Sequence, residues 1–224
     1  MSNKYKKQFS LQLNDNSIHW IEWTVNRIAD QSSGEFEYQA IGQDISEHKL
    51  LEKHLTKIAV AVEQSKSTVI ITDTDGKIEY VNPRFTDVTG YTFEEAKGKN
   101  ARILKSTEND AKVFANLWST ISSGNEWQGE LLSKKKNGEF FWELVTISPV
   151  KDNKGTITNY LAVKEDISLL KKSNNLEKAL YQISRAVIET EELEKLYSSI
   201  HKSLSDVLPV DNFFIAIYDK EKNL

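Results

Sequence analysis

Residues 98–106, GKNARILKS, bring a glycine, an amide, a small apolar side chain and a guanidinium into one turn, with Ile103 and Leu104 directly behind. An amide donates and accepts hydrogen bonds and a guanidinium holds an anion, so the stretch predicts a short helix lining a pocket. Other reactive residues bound what such a pocket could do. The chain has no cysteine, which excludes disulfide frameworks, thiolate metal sites, thiol nucleophiles and any chemistry that forms a bond to sulfur. Asp73-Thr74-Asp75-Gly76 opens like a calcium loop, but the twelfth position from Asp73 is Arg84 where a carboxylate is needed, so it reads as a hairpin turn. No Gly-rich nucleotide lid, P-loop or nucleophile–base pair is present, and no residue is assigned a catalytic or metal-binding role.

The elements that must position this turn come from an ordinary globular composition, with 39% hydrophobic and 28% charged residues over 224 positions. A net charge of -4 gives no electrostatic reason to expect nucleic acid or an anionic membrane as partner. The clusters Lys134-Lys135-Lys136 and Lys171-Lys172 read as solvated faces. No apolar run approaches the roughly 18 residues of a membrane span, and the polar start MSNKYKKQFS lacks a secretory apolar stretch. The expectation is a cytoplasmic chain without direct membrane contact.

One internal repeat stands out. Residues 18–46 align without gaps on 140–168 at an offset of 122, pairing Trp20 with Trp142, Tyr38 with Tyr160, Ala40 with Ala162, and Asp44-Ile45-Ser46 with Asp166-Ile167-Ser168. The first copy starts too late to be whole, so residues 1–46 are expected to hold the last strands of a sheet whose first strands are missing. In the second copy, β-branched residues flank Asp75-Gly76 and Asn137-Gly138, two hairpin signals, and Asn153-Lys154-Gly155 marks a third return. Between them, Val113, Leu117, Trp118 and Ile121 fall at helical spacing. Two strands, short helices and three strands make an α+β domain with a five-stranded antiparallel sheet.

A helical pattern follows each Asp-Ile-Ser: Leu51, Leu55, Ile58 and Val62 after the first, Leu176, Leu180, Ile183 and Val187 after the second. The spacing is that of a two-stranded coiled-coil seam, over about two heptads. Asp44 and Asp166 stand where a carboxylate could cap these helices, with Ser46 and Ser168 as rival caps.

The pieces VNPRFTDVTGYTFEEAKGKN, LWSTISSGNEWQGELLSKKKNGEFFWELVTISPV and YLAVKEDIS together resemble a PAS domain, and residues 10–46 resemble the end of another. Residues 175–224 resemble the opening helix and first strand of a GAF domain. The resemblance implies a PAS fold with helices over one face of the sheet. It also implies a division into 1–46 (end of a PAS domain), 47–66 (linker helix), 67–168 (complete PAS domain), 169–190 (linker helix) and 191–224 (start of a GAF domain).

Such modules are sensory and dimerisation units of bacterial signalling proteins, upstream of a histidine kinase or a cyclic-di-nucleotide enzyme. The implied function is sensing of a small ligand and relay through the helix after Ser168, with Asp166 and Ser168 as relay residues and a parallel homodimer formed through the linker helices. The alternatives are a ligand-free dimerising spacer and an FAD-binding redox sensor.

The resemblance also names pocket candidates. In the light-oxygen-voltage branch a cysteine stands where this chain has Ala101, so adduct photochemistry with flavin is excluded by composition. Asn100 and Arg102 fit that branch, but the positions of its flavin-binding amides are Ser133, Glu143 and Lys164. If the register of the family holds, Glu143 and Lys164 point inward from neighbouring strands and form a buried pair at the polar end of the pocket. Trp127 matches a tryptophan of FAD-binding redox PAS domains, and an indole can stack on a flavin. Haem is disfavoured, because none of His19, His48, His54 and His201 falls in the helical segment of the complete domain.

Overall fold

The computed structural model describes residues 4–29, 36–189 and 193–205, in two units divided between Gln64 and Ser65. In the first unit, β1 (Lys4–Gln12), β2 (Ile18–Ala29) and β3 (Phe36–Asp44) form an antiparallel sheet in that order, followed by α1 (Ser46–Glu63).

The second unit holds the five-stranded antiparallel sheet expected. Its strands are β4 (Thr68–Thr72), β5 (Ile78–Val81), β6 (Trp127–Lys134), β7 (Phe140–Lys151) and β8 (Ile157–Asp166), in the order β5-β4-β8-β7-β6. Between β5 and β6 run α2 (Pro83–Thr89), α3 (Phe93–Ala96), a 3-10 turn (Ala101–Leu104) and α4 (Ala111–Ser122). After the sheet come α5 (Ser168–Glu189) and α6 (Leu193–Ser205). The expected first strand of a GAF domain lies outside the described residues.

Local chemistry explains the punctuation. Asp73 Oδ1 accepts from the backbone N–H of Asp75 and Lys77, and Gly76 takes φ 79°, so the β4–β5 turn closes without strain. Buried Asn82 caps α2 through Phe85 N–H while binding Val69 N–H and Ser67 C=O, with Pro83 next in line. Thr92 and Glu95 form a capping box on α3, and Asp110 caps α4. Beneath the helices, one buried cluster gathers Ile70, Ile78, Val81, Phe85, Ala96, Leu104 and Ala162; a second gathers Leu117, Ile121, Trp127, Leu131, Val145 and Tyr160.

The repeat extends further than sequence identity shows. Ile21 pairs with Asp44 as Glu143 pairs with Asp166, and Phe9 pairs with Ile21 as Leu131 pairs with Glu143. The offset of 122 therefore holds through β1, although no residue of β1 is identical to its counterpart in β6.

The joint between sheet and helix is also built twice from the same atoms. In the second unit Ile167 N–H donates to Trp142 C=O at 2.9 Å, Trp142 N–H donates to Ser168 Oγ at 3.0 Å, and Ser168 N–H donates to Asp166 Oδ1 at 2.9 Å. In the first unit the corresponding distances, through Ile45, Trp20, Ser46 and Asp44, are 2.7, 2.8 and 2.8 Å. Lys171 lies 5.2 Å over the Trp142 ring and Lys49 lies 5.8 Å over Trp20. The two rival caps thus do different work. Aspartate takes the first helical amide, and serine turns back to clamp the neighbouring strand.

On α1 and α5, apolar residues at the four-three spacing are left uncovered. Leu51, Leu55 and Ile58 are exposed on α1, as are Leu176, Leu180 and Val187 on α5. α6 covers a different face of α5, where Ala179 is buried and Ser203 Oγ donates to Gln182 Oε1 at 3.3 Å.

Candidate functional site

The two buried clusters of the second unit meet around a cavity of about 400 Å³. Ile70, Leu104 and Ala162 from one and Leu117, Ile121, Leu131, Val145 and Tyr160 from the other line it, so most of its wall is apolar. The turn at 98–106 does line a pocket, as its composition predicts.

Asn100 positions that turn rather than reading a ligand. Its Oδ1 accepts from Arg102 N–H at 3.1 Å and its Nδ2 donates to Asp75 C=O at 2.8 Å, tying the 3-10 turn to the β4–β5 hairpin. Ala101 and the exposed Arg102 also line the cavity. Lys105, which the sequence reading missed, sits with its ammonium 4.5 Å from the Phe114 ring centroid.

The polar end is a diagonal row with one residue on each of three adjacent strands: Ser133 on β6, Glu143 on β7 and Lys164 on β8. In the antiparallel register Leu131 faces Glu143 and Val145 faces Lys164, so the members are diagonal neighbours on one face. Glu143 Oε1 accepts from Ser133 Oγ at 2.5 Å and from Lys164 Nζ at 2.6 Å. The side chains of Glu143 and Lys164 are 3% and 12% exposed, so the expected pair is buried. Two charges removed from water cost several kcal/mol each unless paired and hydrogen-bonded, and here the hydroxyl completes the pairing on Oε1.

The outer edge of β6 is covered. Asn109 donates to Leu132 C=O at 2.6 Å and accepts from Leu132 N–H at 2.9 Å, and Lys105 bridges Ser133. A single side-chain amide thus mimics one more strand residue and keeps the edge from pairing elsewhere.

Trp127 is a correction. It does not line the cavity; its ring lies along its own strand over Gly129, and its indole N–H donates to Asn116 Oδ1 on α4 at 2.9 Å. A Cβ at Gly129 would sit 2.6 Å from the indole carbons, so the bare backbone there lets the ring lie down. A buried indole N–H needs an acceptor, and Asn116 supplies it away from the cavity. Trp118 and Tyr160 line the wall instead, packed edge to face with centroids 6.0 Å apart. Trp118 was legible through its helical spacing and Tyr160 as a position of the repeat, but neither signal says that a side chain borders a cavity.

Asp166 and Ser168 stand outside the cavity, at the joint described above. Glu143 pairs with Asp166 across the strands and precedes Leu144 just after Trp142, so the polar row and the joint occupy adjoining residues of β7 and β8.

Residues 66–168 match the PAS domain family. The chain is 28% identical over 155 residues to a nitrogen fixation regulatory protein of Klebsiella oxytoca, covering 66% of this chain and 31% of that protein. It is 32% identical over 123 residues to the bacterioopsin transcriptional activator of Halobacterium salinarum, covering 55% and 18%. It is 27% identical over 124 residues to phototropin-2 of Oryza sativa, covering 54% and 14%. The chain thus spans less than a third of the length of these relatives.

Among solved structures, the PAS domain of a Colwellia psychrerythraea protein shares 22% identity at a TM-score of 0.49, covering 51% of this chain and 98% of that one. The dark structure of the Aureochrome1 light-oxygen-voltage domain shares 29% at 0.46, covering 54% and 93%. The segment from 66 to 168 is a PAS sensory domain, homologous to those of signal-transduction regulators.

Proposed function

We propose that this PAS domain senses a small ligand in its cavity and relays occupancy through the joint at Ser168 into α5. The observation that carries the reading is the Ser133–Glu143–Lys164 row, a buried polar end on an otherwise apolar cavity of a size that suits a small molecule.

The repeat supplies a control for it. At the same register positions the first unit has Leu11, Ile21 and Gly42, with the same sheet pairing and the same joint. Neither sheet nor joint therefore requires the charges, and their desolvation is a cost that recognition of a ligand explains. Relay follows from adjacency: a ligand that pulls on Glu143 or Lys164 loads the backbone one residue from Trp142 and two from Asp166, whose bonds start the helix.

The reading extends to the parent protein and its assembly. Residues 4–44 act as the end of a preceding PAS domain, α1 and α5 associate with a second copy in parallel, and the output is a histidine kinase or a cyclic-di-nucleotide enzyme. A GAF domain follows. The FAD alternative depended on stacking by Trp127, which lies off the cavity, and the flavin-binding amides of the light-oxygen-voltage branch are replaced by the charged row.

The test is mass spectrometry of small molecules released from the purified chain, with the Glu143→Ile/Lys164→Met variant as comparison. A compound released stoichiometrically from the parent and lost from the variant supports sensing. Equal release from both, or none from either together with no ligand-dependent change in amide exchange of α5, returns the domain to the spacer reading.

A further inference from the structure

α5 is apolar over more of its circumference than a two-stranded seam uses. Leu169 is 82% exposed and stands one heptad before Leu176, so the seam of Leu176, Leu180, Ile183 and Val187 begins at the residue after Ser168, against the joint, and runs for about three heptads. With Leu169, Leu176 and Ile183 at d and Leu180 and Val187 at a, Ala179 and Ala186 fall at g, Gln182 at c, and Tyr181 and Ile188 at b. α6 takes the c and g side, where Ala179 is buried and Ser203 bonds Gln182. The b side is open, with Tyr181 65% and Ile188 84% exposed, although b faces water in a two-stranded coil and is ordinarily polar.

α6 has apolar area to spare. Its stripe of Leu196, Tyr197, Ile200 and Leu204 recurs at three and four residues and is only half-buried against α5. In a parallel pair of α5 helices the g side of one adjoins the e and b side of the other, so the open stripe of α6 and the open b side of a second α5 meet in one groove.

Charge selects a second copy of this chain in that orientation. In a parallel, in-register pair, residue g of one helix faces the e residue of the next heptad in the other. On the sheet side of the Ser203–Gln182 contact those positions hold Lys172 and Glu177, both exposed and of opposite sign. Farther along, where α6 lies, g is held by Ala179 and Ala186, small enough to let a helix approach. α1 lacks the pattern. In the heptads of Leu51, Leu55, Ile58 and Val62 the same positions are Glu47 and Glu52, of like sign, and Glu52 is bonded by Lys49 of its own helix at 3.3 Å.

We propose that two copies join through a parallel four-helix bundle: the α5 helices pack along the Leu169–Val187 seam, and each α6 lies in the groove between them, over Ala179 of its own α5 and over Tyr181 and Ile188 of the second copy. This rests on the self-association reading above and specifies it. α5 with α6 sets the register, Lys172 pairs with Glu177 of the second copy, and the bundle starts at the joint, so a displacement of the joint acts on both copies.

Sedimentation velocity of the whole chain over a concentration series, with helix content followed by circular dichroism, tests it. The parent is expected to dimerise. Tyr181→Gln/Ile188→Gln leaves a and d untouched, uses a good helix former and should weaken the dimer by roughly tenfold or more. Lys172→Glu should weaken it by about threefold or more at low salt, and Lys172→Glu/Glu177→Lys should restore it. Because the chain has no cysteine, Ser173→Cys introduces a single thiol at position a, and air oxidation should link it to its counterpart across a parallel pair.

An unchanged dimer in Tyr181→Gln/Ile188→Gln overturns the bundle and leaves a two-stranded coil. A charge swap that fails to restore the dimer, or a thiol at position 173 that does not link to its counterpart, overturns the parallel register. A parent that stays monomeric overturns the bundle together with the self-association reading.

Discussion

Lys164 can be removed alone or together with its partner, and the two should differ sharply in cost. Lys164→Met strands the carboxylate of Glu143 at 3% exposure and is expected to cost about 3–5 kcal/mol. Glu143→Ile/Lys164→Met replaces the pair by apolar bulk, as the first unit does with Ile21, and should lie within about 1 kcal/mol of the parent or above it. Urea unfolding of both variants checks this, and equal losses would mean that the pair itself holds the sheet together.

Surface carboxylates give the pH prediction. Asp44 is held at about 2 by the Ser46 hydroxyl, then by His19 and the Ser46 amide; Glu95 is held at about 2 by Lys136, 2.6 Å away, then by the Thr92 amide. Folded values below the ordinary 3.8 and 4.5 mean that each contributes its full stabilisation above those values and loses it as pH falls toward 2. Carboxyl-carbon NMR should find both groups still ionised at about pH 3, where an unperturbed carboxylate is mostly protonated.

At the scale of elements, the sheet–helix joint separates stability from relay. Asp166→Ala removes the acceptor of the first α5 amide and should cost about 1 kcal/mol, while Ser168→Ala frees Trp142 N–H from its clamp at a cost of about 0.5–1.5 kcal/mol. If the joint is the relay, amide exchange in the first turn of α5 should cease to respond to ligand in both variants while β4 keeps the parental protection. Gly129→Ala belongs to the same scale. Its Cβ would meet the Trp127 ring at 2.6 Å, so ring or strand must shift, at about 1–3 kcal/mol measured by thermal melting.

For the whole molecule, the exposed seams of α1 and α5 direct the assembly prediction. Leu55→Asp/Leu180→Asp places a charge on each seam, where burial of a leucine is worth roughly 1.5–3 kcal/mol. If the seams carry the proposed self-association, sedimentation velocity should show it in the parent and find it weakened at least tenfold in the variant; a parent that stays monomeric, or an unchanged distribution, would assign those faces to another partner. The seams were legible as a spacing of four and three, but not the face that α6 takes, because a helix pattern does not say which neighbour arrives. The second half of the repeat was legible too, through Trp20/Trp142 and the two Asp-Ile-Ser segments: the Asp and Ser side chains bond the joint and the Trp rings lie under Lys49 and Lys171, which constrains residue type. β1 was not, since a strand is recognisable by alternation alone and its counterparts share only that, as Tyr5 and Trp127 or Phe9 and Leu131 show.

Turn residues, caps and alternation act within a few positions of one another, so the chain by itself determined the hairpins at Asp75-Gly76 and Asn137-Gly138, the short helices between them, the α+β order and the absence of any thiol chemistry. Which side chains share a volume depends on register between strands far apart in sequence, and only the tertiary structure decided that. It aligned Ser133, Glu143 and Lys164 on one diagonal, spent Asn100 and Asn109 on backbone, and laid Trp127 over Gly129 where its N–H could reach Asn116 rather than the cavity.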